Sequence, residues 1–175
     1  MTIRKIASVG HPVLRQIARE VRLEELPKWQ GFIDDLIETM RDANGAGLAA
    51  NQVYEPIRIC VIEVRANNPR YPEKKPIPLT IMVNPILTEI GTDTIETFEG
   101  CLSVPNLRGK VRRAAGLRVE FFDRDGQRII REAHGIEAVT YQHECDHLDG
   151  KLFLDRVENR DTLTTWDNYS RFHSS

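Results

Sequence analysis

Tyr141-Gln142-His143-Glu144-Cys145-Asp146-His147 is the stretch on which the reading of this chain turns. It contains H-E-x-x-H. On an α-helix, residues four apart differ by about 40° in direction, so His143 and His147 share one face, one turn apart. Two imidazoles so placed can hold one metal ion. Glu144 lies about 100° round from His143, near enough to handle a proton but poorly aimed to ligate. Two neutral imidazoles and a carboxylate beside a metal-activated water make a hydrolytic site. Cys145 points about 200° from His143 and reads as packing. The competing reading is a helix whose surface His residues bind nothing.

A metal needs a third protein ligand. The longer pattern H-E-x-x-H-x-x-G-x-x-H is met by Gly150 but ends on Phe153, which cannot ligate. Glu158 is one downstream carboxylate, in a polar segment close behind the helix. Upstream, Glu99-Gly100-Cys101-Leu102-Ser103 offers Cys101, whose thiolate is a strong ligand for zinc or Fe(II). Three protein ligands would leave a fourth position open, the mark of a catalytic site. A structural site would need a fourth ligand, and His134 and Asp146 are the nearest in sequence. Asp146 is equally able to hydrogen-bond instead.

The chain's 175 residues suit one domain. A hydrophobic fraction of 41% and a charged fraction of 29% describe a globular protein in water. A net charge of -2 gives no general pull toward nucleic acid or membrane, and neither is expected as a partner. No apolar run approaches the ~20 residues of a membrane span. Met1 to Ile6 has neither a signal-peptide core nor a transit-peptide character, which makes a cytoplasmic protein the expectation. A form trimmed of an organellar transit peptide would read the same way. Three Cys form no paired framework. Cys60, in Ile59-Cys60-Val61-Ile62, reads as a buried core thiol.

Gly10-His11-Pro12 signals a turn, with His11 as a cap residue, and a short helical pattern follows in Val13, Leu14, Ile17 and Ala18. Leu26, Trp29, Phe32, Ile33, Leu36, Ile37 and Met40 recur at three and four, predicting an amphipathic helix over 26–43. Pro27 suits its first turn and Asn44-Gly45 its end. Gly45 to Gln52 carries so little side-chain bulk that backbone can approach a ligand or a strand, but it is no phosphate loop. Strands are predicted over 57–64, over 79–83 closed by Asn84-Pro85, and over 86–98 with a break at Gly91. The Pro-rich stretch 65–78 reads as an exposed, mobile loop. Residues 117–131 read as a hairpin turned at Asp125-Gly126. The metal helix is placed at 136–148 after Gly135, ended by Asp149-Gly150. The domain spans 1–157. Residues 158–175 are a polar tail with a weak helical signal in Trp166, Tyr169 and Phe172. The whole is α+β, with strands packed against one long helix and the helix carrying the site.

Three separated motifs, in order and roughly in spacing, carry a family resemblance. They are Gly45-Ala46-Gly47-Leu48-Ala49-Ala50-Asn51-Gln52, Glu99-Gly100-Cys101-Leu102-Ser103 and Gln142-His143-Glu144-Cys145-Asp146-His147. The chain resembles the peptide deformylases from about His11 to about Asp155. The resemblance implies the deformylase fold, with mixed antiparallel sheets around a central metal-binding helix. It implies Cys101, His143 and His147 as metal ligands and Glu144 as the proton carrier. The Gln52 amide and the Leu102 backbone N–H would hold the oxyanion. Gly47 would pair its backbone with an extended peptide, and a Met side chain would enter an apolar pocket near Ala46, Ile136, Val139 and His143. Arg108 would steady the downstream peptide. The implied ion is Fe(II), with Zn, Ni or Co able to substitute. The implied substrate is an N-formylmethionyl nascent peptide, which brings the ribosome near its exit tunnel into view as a further partner. The charge of the tail does not itself point to ribosome docking. An ion pair between Glu99 and Arg113 is expected around the ligand Cys101.

Two rivals share the central motif. A zinc metallopeptidase explains H-E-x-x-H equally well but leaves Cys101 and Gln52 without roles. A metal-binding protein without chemistry would not need Glu144.

Overall fold

Strand β2 (Ile59–Val64) explains the arrangement of everything else. Side chains alternate across a strand, and here both sides are apolar. Cys60 and Ile62 join one core cluster, while Ile59 and Val61 join another. A strand buried on both faces must sit inside a layered structure. The computed structural model, which describes residues 2–66, 68 and 75–173, supplies those layers. A five-stranded antiparallel sheet runs in the order β1 (Gly47–Ala49), β2, β3 (Ile77–Glu89), β6 (Gly116–Phe122) and β7 (Arg128–His134). Helix α1 (Leu26–Asp42) covers one face, burying Phe32, Ile33, Leu36, Ile37 and Met40. Helix α2 (Ile136–Leu148) covers the other through Ala138, Tyr141, Cys145 and Leu148.

On its far side α2 meets a second sheet, the antiparallel pair β4 (Thr94–Cys101) and β5 (Val104–Ala114). A third cluster, including Leu14, Cys101, Val104, Val111 and Phe153, seals that side. The metal helix is therefore enclosed by both sheets, and most of its residues are buried whatever their polarity. This is the α+β arrangement expected from the sequence, and the helix bounds at 26–43 and 136–148 hold to within a residue.

Several expected boundaries move, each for a local reason. The strand expected to close at Asn84-Pro85 runs on to Glu89. Asn84 takes a left-handed φ of 51°, and the β3–β6 register shifts between Val83 and Ile86. The bulge lets a proline stay in the strand. Asn84 spends its amide on Val21, accepting from its N–H at 2.9 Å and donating to its carbonyl at 2.8 Å. The break expected at Gly91 within 86–98 is present: β3 ends at Glu89 and β4 starts at Thr94 in the other sheet, with Gly91 at a φ of 72° between them. The helical pattern after His11 stops as a 3-10 turn, Pro12–Arg15, capped by the His11 ring accepting from Val13 N–H. The sequence pattern suggests β1 only as a small-residue wall and does not suggest β5. The 117–131 hairpin is present, and its Asp123 side chain accepts from Asp125 and Gln127 N–H groups across the turn. Half of the loop expected to be mobile, residues 67 and 69–74, lies outside the described residues.

The polar tail is partly helical: α3 (Trp166–Phe172) opens with Thr165 accepting from Asn168 N–H. Helix α2 ends at Leu148, and Gly150 just beyond it has a φ of 70° and space only for hydrogen, since a Cβ there would lie 2.7 Å from the Arg15 carbonyl oxygen. Gly150→Ala is expected to cost about 1–3 kcal/mol through strain and that clash. Urea unfolding of the two proteins measures it, and equal midpoints would contradict it.

Candidate metal centre and substrate cleft

His143 and His147 project from one face of α2, as the four-residue spacing predicts. Their rings lie 5.0 Å apart, edge to face. Cys101 comes from the end of β4, where the register shifts between Gly100 and Cys101 and the chain turns inward. Its Sγ sits 3.3 Å from His147 Nε2. One donor atom from each of Cys101, His143 and His147 lies within 4.8 Å of the others. The Nδ1 of His143 donates to Glu99 Oε2 at 2.8 Å, which leaves Nε2 for a metal. Burial pushes the Cys101 thiol up in pKa, but the two facing imidazoles outweigh it and hold it well below the usual thiol range. A thiolate and two imidazoles converging in a buried pocket fit a divalent cation with an affinity for nitrogen and sulfur.

Glu144 is buried beside them, and its Oε2 has no hydrogen-bond partner among the described residues. Burial raises its pKa, with the nearby imidazoles opposing. An orphan carboxylate oxygen of raised basicity is the form a proton carrier takes. Gly47 explains how it fits: a Cβ there would lie 2.3 Å from Glu144 Oε1. The small-residue motif thus clears room for the carboxylate. Gln52 is fixed by Ala49 N–H donating to its Oε1 at 2.9 Å, which directs Nε2 at Ser103 Oγ, 3.0 Å away, and Cys101 Sγ, 3.5 Å away.

The cleft over this centre is lined by Gly45, Ala46, Gly47 and Gln52 and by Thr97 to Leu102. Ile136, Val139, Thr140, His143 and Glu144 of α2 also line it. Strand β1 stands at the end of its sheet order, and its first residue, Gly47, lines the cleft. Of the residues expected at the site, His147 belongs to the donor group without lining the cleft, and Arg108 joins neither. Its guanidinium is 3.6 Å from the Trp166 ring centroid and 4.5 Å from that of Tyr169, and the residue is 5% exposed. The tail helix, whose docking the sequence does not reveal, claims this cation.

His134 and Glu158 stay outside the donor group: His134 is exposed on β7 and faces Glu132 at 3.4 Å, and Glu158 is exposed. Phe153, at the place of a third His, stacks on His143 with centroids 6.5 Å apart. Cys145 lies against Cys60, whose thiol is pushed well up by that contact and by burial. The expected Glu99–Arg113 pair is present, bidentate at 2.8 and 2.9 Å, and the same guanidinium reaches Asp146 at 2.5 Å. Arg156, which no sequence pattern singles out, completes the cluster with bonds of 2.7 and 3.1 Å to Asp146. Thr97, Phe98 and Thr140 are further cleft residues that sequence reasoning misses, since nothing in their local pattern distinguishes them from ordinary strand and helix positions.

Fold and centre together place the chain among metal-dependent hydrolases of the H-E-x-x-H type. A family model described as polypeptide deformylase matches residues 3–162. The chain belongs to that family. It is 42% identical over 157 residues to peptide deformylase 1 of Prochlorococcus marinus, covering 90% of this chain and 82% of that one. A crystal structure of a class I type b peptide deformylase from Acinetobacter baumannii superposes with a TM-score of 0.86 at 36% identity, covering 90% of this chain and all of that one. Another structure from that organism, bound to Met-Ala-Ser, gives 0.84 at 37% identity over 89% of this chain and 99% of that one.

Glu99→Ala is expected to lower metal affinity about 10- to 100-fold by freeing the His143 ring. Competition with a chromogenic chelator measures it, and an unchanged affinity would remove Glu99 from the centre's support. Gly47→Ala is expected to retain metal while displacing Glu144, cutting turnover about 100-fold or more.

Proposed function

We propose that the chain removes the N-formyl group from the initiator methionine of nascent peptides, releasing formate and a free N-terminus. The observation that carries this is the unpartnered Glu144 carboxylate oxygen beside the Cys101, His143 and His147 donors, next to an open strand edge. Cys101, His143 and His147 would hold the ion. When bound, such an ion supplies Lewis-acid chemistry, acidifying a water and polarising a carbonyl oxygen. Glu144 takes the proton from the attacking water as its oxygen adds to the formyl carbon. The same carboxyl then passes that proton to the amine nitrogen as the C–N bond breaks. Gln52 Nε2 and the Leu102 backbone N–H would donate to the oxygen on which negative charge grows. Extended substrate backbone would pair along Gly47 at the β1 edge, and the Met side chain would lie on Ala46, Ile136 and Val139.

The donor set accepts either Fe(II) or Zn, and we take Fe(II) as the working ion, with Ni, Co or Zn as substitutes. Nascent chains emerge at the ribosomal exit tunnel, so we place the reaction there, in the cytoplasm. Among the described residues no helix is long and apolar enough to cross a membrane. A zinc metallopeptidase shares the helix motif, but it gives no role to a thiolate donor held by Gln52 and Ser103.

Anaerobic protein loaded with Fe(II) is expected to release formate from a formyl-Met peptide. Glu144→Ala is expected to keep its metal and lose about 1,000-fold or more in kcat. Internal cleavage of unformylated peptides, with no formate released, would favour the metallopeptidase instead.

A further inference from the structure

Helix α3 bears on the cleft from behind. Its approach is fixed by backbone: Arg108 N–H donates to the Thr164 carbonyl at 2.8 Å, and Thr164 N–H returns to Arg108 at 2.9 Å. Gly109 allows the close approach, since a Cβ there would lie 3.0 Å from both Leu163 and Val157 side chains. Arg108 then lies under the Trp166 and Tyr169 rings, a buried cation–π contact that anchors the helix. Seven residues are too few to hold a helix alone, so α3 depends on this docking.

The contact continues to the cleft. Phe98 meets the Tyr169 ring edge-on at 5.1 Å and the His173 ring at 5.2 Å. Phe98 is itself a cleft-lining residue, three positions before Cys101 on β4, which puts it roughly 10 Å along the strand from the ligand. The reacting bond lies at Glu144 and the three donors, and Ala46, Ile136 and Val139 offer apolar surface for the first side chain. Phe98 is the remaining large apolar group of the lining apart from Leu102, on the β4 stretch that lines the cleft together with Gly45 to Gly47. An extended peptide paired with the β1 edge would run past both stretches.

We propose that Tyr169 and His173 are positioning residues for the reaction. They hold Phe98 as the wall that receives the peptide residues following the first. The proposal rests on the deformylase reading above. It makes the C-terminal helix a determinant of how strongly substrate length is felt, acting through Phe98 without touching the reacting atoms.

The test is steady-state formate release by the full chain, loaded with Fe(II) without oxygen. Two substrates are compared, formyl-Met methylamide and formyl-Met-Ala-Ser. In the double variant Tyr169→Ala/His173→Ala, KM for the longer substrate is expected to rise about five- to tenfold with kcat within about twofold. Both constants for the methylamide stay within about twofold, because it ends before the wall. Tyr169→Phe, which keeps the ring, is expected to behave as the parent. Should the double variant not fold, Phe98→Ala decides, with the same split expected. Equal KM shifts on both substrates, no shift on either, or a loss confined to kcat would overturn the proposal. A parent protein that releases formate from neither substrate would instead sink the deformylase reading on which it stands.

Discussion

The structure depends on one buried guanidinium. Arg113 on β5 is 4% exposed and lies between Glu99 of β4 and Asp146 of α2. Taking a charge out of water costs several kcal/mol, recovered only where geometry and hydrogen bonding are good. Here all three guanidinium nitrogens are bonded, and Asp146 is shared with Arg156. Burial alone would raise the Glu99 carboxyl; Arg113, with His143, instead brings it down to about 2. The partners matter more than the charge. Glu99 precedes Cys101 by two residues, and Asp146 precedes His147 by one. The cluster therefore ties the strand bearing one metal donor to the helix bearing the other two, while Glu99 also sets the His143 ring.

A steric constraint of equal force acts on the other side of α2. The Glu144 carboxylate occupies the space that any side chain at position 47 would fill. That requirement makes the residue nearest Glu144 a glycine, and it brings backbone, with its pairing groups, next to the proton carrier. The missing Cβ thus lets a buried carboxylate lie against the end strand of the sheet. Gln52, from the same stretch, is held at Ala49 N–H and directed at Ser103 and Cys101, so the small-residue motif also locks the amide into the centre.

What is legible in the sequence is whatever rests on local periodicity or fixed spacing. His143 and His147 share a face because four residues make about one turn. The α1 stripe is a plain 3.6-residue repeat, and Asn44, with φ of 53°, stops it as its composition suggests. The hidden parts depend on partners distant in the chain. Strand β5 reads Val-Pro-Asn-Leu-Arg-Gly-Lys-Val-Arg-Arg-Ala, too polar to look like a strand until Arg113 is seen to be paired inward. Strand β3 survives Pro85 only because Asn84 absorbs a bulge by bonding Val21. Arg108 looks available to substrate because nothing near it in sequence announces the rings that cover it. In each case a long-range contact acts where only a local rule is visible in the sequence.

The third donor carries the same lesson into chemistry. Cys101 lies 42 residues before His143 and on a different sheet from the five-stranded one that α2 covers, so no local segment contains the centre. The donor group comes together only when the β4–β5 pair closes on α2, which is what the Arg113 cluster enforces. Ligand protonation follows from that closure: the same two imidazoles that would share the ion hold the Cys101 thiol well below its usual range. A metal bound here stabilises the closed arrangement, since the unfolded chain offers no such group. Folding, thiol ionisation and metal affinity are then one coupled equilibrium, and the residues that govern it include Glu99, Arg113 and Asp146, none of which ligates.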